Sequence, residues 1–120
     1  MMKLAISGSR NYTNYEEFCK ILNEYLSDNK EVELECVISG GAIGTDTMAE
    51  KYANDNNILF LVFKPEYEKY GRSAPLVRNK KIIKNATHLI AFPSAKGSGT
   101  QHTIMCAKKS GIPCKIYDID

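Results

Sequence analysis

The sequence predicts an α/β protein, a Rossmann-like three-layer sandwich whose mainly parallel five-stranded sheet carries helices on both faces. Three observations predict it. Short apolar runs of strand length alternate with longer segments whose apolar residues recur at spacings of three and four. Each connection between runs is long enough for the crossover that parallel pairing requires. Successive strand exits are built from the same glycine-rich material at the mouth of a helix.

The elements follow in order. "KLAIS" (Lys3 to Ser7) reads as the first strand. Asn14 to Ser27 places Tyr15, Phe18, Ile21, Leu22, Tyr25 and Leu26 on one helical face, and the polar "SDNKEVE" ends that helix. Cys36 to Ser39 is the second strand, and Thr45 to Asn54 the next helix, with Met48, Ala49, Tyr52 and Ala53 inward. "ILFLVF" (Ile58 to Phe63) is apolar throughout, as expected of a strand covered on both faces. "KPEYEKYGRSA" is less regular, and Pro75 then suits the first turn of a helix carrying Leu76, Val77, Ile82 and Ile83. "HLIAF" (His88 to Phe92) is the fourth strand. Thr100 to Lys109 is a helix stopped by Gly111 and Pro113, and "CKIYDI" is the last strand. Without an internal repeat or linker, residues 1–120 read as one domain.

Composition narrows the function classes. The 43% hydrophobic and 25% charged residues are ordinary for a folded domain. A chain of 120 residues buries roughly two-thirds of its unfolded surface, so it needs neither disulfide nor metal to fold. Cys19, Cys36, Cys106 and Cys114 never form C-x-x-C, which points to reduced thiols in a cytoplasmic protein. No metal or cofactor is expected. "MMKLAISGSR" is too short an apolar run for a signal peptide, and no segment approaches membrane-spanning length. The net charge of +2 weighs against a nucleic-acid partner.

The chemistry concentrates in three loops: "SGSRN" (Ser7 to Asn11), "SGGAIGTD" (Ser39 to Asp46) and "FPSAKGSGT" (Phe92 to Thr100). Glycine admits a close ligand, and the free amides and dipole of a helix start favour an anion. The pattern therefore predicts a phosphate-bearing ligand held by Gly8, Ser9 and Arg10, by Gly40, Gly41, Ala42, Gly44, Thr45 and Asp46, and by Pro93, Gly97, Ser98, Gly99 and Thr100. "GGAIGTD" lacks the lysine of a Walker A loop, which argues against an NTPase. Arg10 and Arg78 suit bidentate pairing with phosphate. Tyr67, Tyr70 and Phe92 are candidates for stacking on a base, Phe92 also for the core. "RNKKIIKN" reads as the solvated side of a helix.

In these residues the chain resembles the SLOG superfamily, which includes the LOG phosphoribohydrolases and the DNA-processing protein DprA, and most closely its small YpsA-related branch. The likeness rests on the ordered set "SGSR", "SGGAIGTDTMAEKYA", "YGRSAPLVRNKKII", "AFPSAKGSGT" and "KKSGIPC". It implies a pocket for a nucleotide or an ADP-ribose-type ligand, with Arg78 and Asn79 added to the loops, and a homodimer or higher homo-oligomer. LOG enzymes keep a glutamate in the helix after their last glycine loop, where this chain has Gln101, His102 and Thr103. That carboxylate stabilises an oxocarbenium-like transition state. Its absence favours a sensor or sequestering protein for a nucleotide signal. The alternatives are a LOG-like N-glycosidase with Arg78, Asp46 or His102 as candidate catalytic residues, and DprA-like binding of single-stranded nucleic acid.

Overall fold

The computed structural model describes residues 1–95 and 97–119, so Lys96 of the third loop and Asp120 lie outside the described residues. Five strands, β1 (Met2–Gly8), β2 (Leu34–Ser39), β3 (Leu59–Val62), β4 (His88–Phe92) and β5 (Cys114–Ile116), form one sheet in the order β3-β2-β1-β4-β5. Every pairing in it is parallel. The helices are α1 (Tyr15–Asp28), α2 (Thr45–Asp55), a single turn α3 (Tyr67–Tyr70), α4 (Ala74–Lys84) and α5 (Gly99–Ser110). The irregular "KPEYEKYGRSA" stretch thus holds α3 and a 3-10 turn, Gly71–Ser73, that sequence periodicity was too short to reveal.

Alternation along the strands sorts the core into two layers. Leu4, Ile6, Val37, Ile90 and Phe92 meet Phe18 and Leu22 of α1 and Met48 and Ala49 of α2. Ala5, Cys36, Ile38, Leu89 and Ala91 meet Ile82 and Ile83 of α4 and Ile104 and Ala107 of α5. The chain therefore winds outward from β1 to β3 beneath one pair of helices, then restarts at β4 beneath the other. That reversal opens a crevice between the exits of β1 and β4, which end level at Gly8 and Phe92. Phe92 anchors the crevice from below, with ring centroids 5.4 Å from Phe18, 5.2 Å from Tyr12 and 5.7 Å from Tyr117.

One expectation is corrected. The all-apolar β3 run is not covered on both faces: Leu59 is 58% and Val62 43% exposed. Sheet order explains it, because β3 lies at the edge outside β2. Phe60 is partly buried against the α1–α2 layer, whereas Leu59 and Leu61 alternate to the other face and remain exposed. All four cysteines are free thiols. No described helix is long and apolar enough to cross a membrane.

Phe18 and Phe92 are both fully buried in one ring cluster. Phe18→Ala is expected to lower unfolding free energy by about 3–5 kcal/mol, measured by denaturant titration.

Candidate functional site

The exits of β1, β2 and β4 are laced to one another by main-chain groups. Ser9 N donates to Phe92 O at 2.9 Å, while Ser9 O accepts from Thr45 N at 3.1 Å and from Thr45 Oγ1 at 2.8 Å. Thr45 is thereby fully buried with its hydroxyl committed inside the protein. Gly8 has a packing reason to lack a side chain, since a Cβ there would lie 2.5 Å from Thr45 Oγ1 and 2.8 Å from Phe92 Cβ. Gly44 has a conformational one: it is the N-cap of α2 at φ 75°, and a Cβ there would run into the Arg10 backbone.

A second lacing runs through Arg78 of α4. Its Nη1 donates to Gly40 O at 2.8 Å and its Nε to Asn79 Oδ1 at 2.9 Å. Gly40 is small for this guanidinium, since a Cβ would stand 2.5 Å from Nη1. With its oxygen held by Arg78, the Asn79 amide presents Nδ2 to His102 Nδ1 at 3.2 Å. Nδ1 then accepts, which leaves the imidazole proton on Nε2. Burial, then Lys80 and Lys109, depress the His102 pKa and favour this neutral ring. Burial likewise pushes the Arg78 guanidinium down, with Asp46 opposing. The run from Gly40 through Arg78 and Asn79 to His102 joins the β2 exit to α4 and α5.

Asp46, in the first turn of α2, is 8% exposed and accepts a hydrogen bond from Ala42 N at 3.0 Å. Burial raises its pKa, against the lowering effects of Ala42 N–H, the Ser39 hydroxyl, the Arg78 charge and Gly40 N–H. It is the one carboxylate among the described residues lining the crevice.

The crevice has a volume of about 630 Å³. It brings together the predicted Gly8, Ser9, Arg10, Ala42 and Asp46 with Arg78, Asn79, Gly97, Ser98, Gly99 and Thr100. Gly40, Gly41, Gly44, Thr45 and Pro93 are not part of this lining; Gly40, Gly44, Thr45 and Pro93 are buried and Gly41 is exposed. Phe92 belongs to the core, and Tyr67 and Tyr70 are exposed elsewhere. His102 lines a separate hollow between α4 and α5. The lining also includes Arg72, Pro75 and Leu76, which sequence reasoning missed. They belong to the "YGRSAPL" stretch, whose weak periodicity hid that it folds back over the sheet edge. No described side chain caps α5, so its first amides remain available to a ligand beside Arg10 and Arg72.

A model of the YAcAr family, the YspA, cpYpsA-related SLOG family, matches residues 2–70. The chain belongs to that family. The YAcAr match spans the β1 and β2 exits and Asp46, and stops at α3. Gene 61 protein of Mycobacterium phage D29 is 31% identical over 83 residues, covering 64% of this chain and 66% of the phage protein. The match thus spans about two-thirds of that relative's length. Among solved structures, DNA processing protein A from Helicobacter pylori, described for its single-stranded DNA binding mode, superposes with a TM-score of 0.71. It is 19% identical, over 96% of this chain and 64% of that one. The protein TM1055 superposes with a TM-score of 0.68 at 18% identity, over 95% and 72% of the two chains. At these identities the superpositions show the fold, and they carry it across α4, α5 and β5.

Two predictions follow from the lacing and the buried acid. Arg78→Ala leaves the Gly40 carbonyl and the Asn79 amide without their donor and is expected to lower stability by about 1–3 kcal/mol by denaturant titration. For Asp46 the folded pKa lies above its ordinary 3.8, so its contribution is fully present below that value and lost as pH rises through the folded one. Asp46→Asn, which keeps an acceptor for Ala42 N–H, is expected to be relatively more stable at neutral pH. That advantage should shrink when melting is measured in acid.

Proposed function

We propose that this YAcAr domain binds a nucleotide or nucleotide-derived ligand of the ADP-ribose type in the crevice, as a sensor or sequestering protein for a nucleotide signal. The observation that carries the reading is the composition of one lining. Uncapped amides of α5, Arg10 and Arg72 offer an anion-binding side, and Asp46 supplies a single buried acceptor. Phosphate suits the first set and a ribose hydroxyl the second. Leu76 and Pro75 give an apolar wall for a flat base. The volume is within the ordinary range of small-molecule sites.

Binding without rapid turnover is favoured over glycosidic cleavage by how the candidate catalytic groups are disposed. Arg78 Nη1 and Nε are engaged by Gly40 and Asn79, and His102 sits behind Asn79. Asp46 is left without a second acid–base partner in the lining.

Titration calorimetry with nucleoside monophosphates, ADP-ribose and cyclic nucleotides tests the proposal. At least one should bind, and Arg10→Ala or Asp46→Ala should weaken it by about tenfold or more, equivalent to about 1.4 kcal/mol. Flat traces across the panel would overturn it. Release of free base, abolished by Asp46→Ala, would replace it with the hydrolase reading.

A further inference from the structure

The near-zero net charge conceals a segregation between the two faces of the sheet. On one face, α1 and α2 carry Glu16, Glu17, Glu24 and Asp28, then Asp46, Glu50 and Asp55, against Lys20 and Lys51 alone. On the other, α4 and α5 carry Arg78, Lys80, Lys81, Lys84, Lys108 and Lys109 and no acidic residue. A thiol, Cys106 of α5, stands on this basic face, partly exposed.

Cys106 has an imidazole within reach. It follows His102 by four residues, so both lie on one side of α5. Its Sγ is 3.7 Å from Nε2 and 3.9 Å from Nδ1 of that ring. Nδ1 already accepts from the Asn79 amide, so Nε2 is the nitrogen with a proton to give. An N–H beside sulfur donates to negative charge that forms there.

Both residues line the hollow between α4 and α5, whose volume of about 580 Å³ is in the range of small-molecule sites. Lys80 and Lys84 reach it from α4 and Lys109 from α5, while Met105 adds apolar surface. No acid is among the described residues that line it. The other thiols lack this setting. Cys36 is fully buried, and burial pushes its thiol and that of Cys114 up. Cys19 lies on the acidic α1.

We propose that Cys106 is a modification site, at which the hollow takes up an anionic low-molecular-weight disulfide and the thiol exchanges with it. The Cys106 thiolate attacks one sulfur of the disulfide and forms a new S–S bond to that half. The old S–S bond breaks with its electron pair on the departing sulfur, which takes up the proton that Cys106 released. The disulfide is itself the oxidant, and the products are a mixed disulfide on Cys106 and one free thiol. The three lysines draw in the carboxylates of the reagent, and His102 Nε2–H meets charge on the reacting sulfur. The attached group stands against His102, which Asn79 ties to Arg78 at the crevice. The site shares no lining residue with the crevice, so it does not depend on what the crevice holds.

Timed incubation of the reduced protein with glutathione disulfide, and in parallel with the uncharged hydroxyethyl disulfide, tests it by peptide mass spectrometry. Cys106 should acquire the glutathionyl group at least about tenfold faster than Cys19 or Cys114. The triple variant K80Q/K84Q/K109Q, its fold checked by circular dichroism, should lose about tenfold more rate toward glutathione disulfide than toward the neutral reagent. His102→Ala should slow both reagents at Cys106 and leave Cys19 unchanged. Equal labelling of the three partly exposed thiols, an equal loss toward both reagents in the lysine variant, or an unaltered rate in His102→Ala would each overturn the proposal.

Discussion

Arg78 is the constraint around which the crevice is organised. A guanidinium brought under the sheet edge must satisfy its donors, and it does so on the Gly40 carbonyl and on Asn79. That choice leaves no room for a Cβ at position 40 unless the guanidinium moves, and it sets the orientation of the Asn79 amide and the tautomer of His102. The cation so held contributes positive potential near Asp46 while its Nη1 and Nε donate inside the protein. An arginine that sequence suggests as a hand for phosphate thus also serves as a clamp on the loops, with Arg10 and Arg72 beside it in the lining.

The same division holds for the glycines. Gly8 and Gly40 are small because Thr45, Phe92 and Arg78 occupy the space their side chains would take, and Gly44 turns against the Arg10 backbone. They make the crevice by letting its walls approach each other. The groups that face its interior come from the β1 exit, from Ala42 and Asp46 around the start of α2, from Arg72 and the first turns of α4, and from the start of α5.

Much of the fold was legible because period-two and period-3.6 patterns are decided locally. The five strands and four longer helices needed nothing beyond the spacing of residues such as Phe18, Leu22 and Ile82. What stayed hidden was set by tertiary order. Nothing in "ILFLVF" tells an edge strand from a central one, since that depends on where β2 and β1 lie. The crevice was legible where glycine and hydroxyl residues fill the bend between a strand and its helix, as at Ser9 and Ser98. It was illegible at Arg72 and Leu76, which reach it by a fold-back longer than any local pattern. Net charge says little about surfaces for a related reason: α1 and α4 are averaged in a sum but stand on opposite sides of a slab.

The packing beneath Phe92 has a consequence for how such a crevice can diversify. Its floor is continuous with the tightest aromatic contacts in the molecule, through the bond from Ser9 to the Phe92 carbonyl. Altering that floor would trade foldedness for novelty. Tinkering with ligand preference is therefore channelled to the outer lip, where Arg10 and Leu76 can be exchanged without disturbing what holds the domain upright.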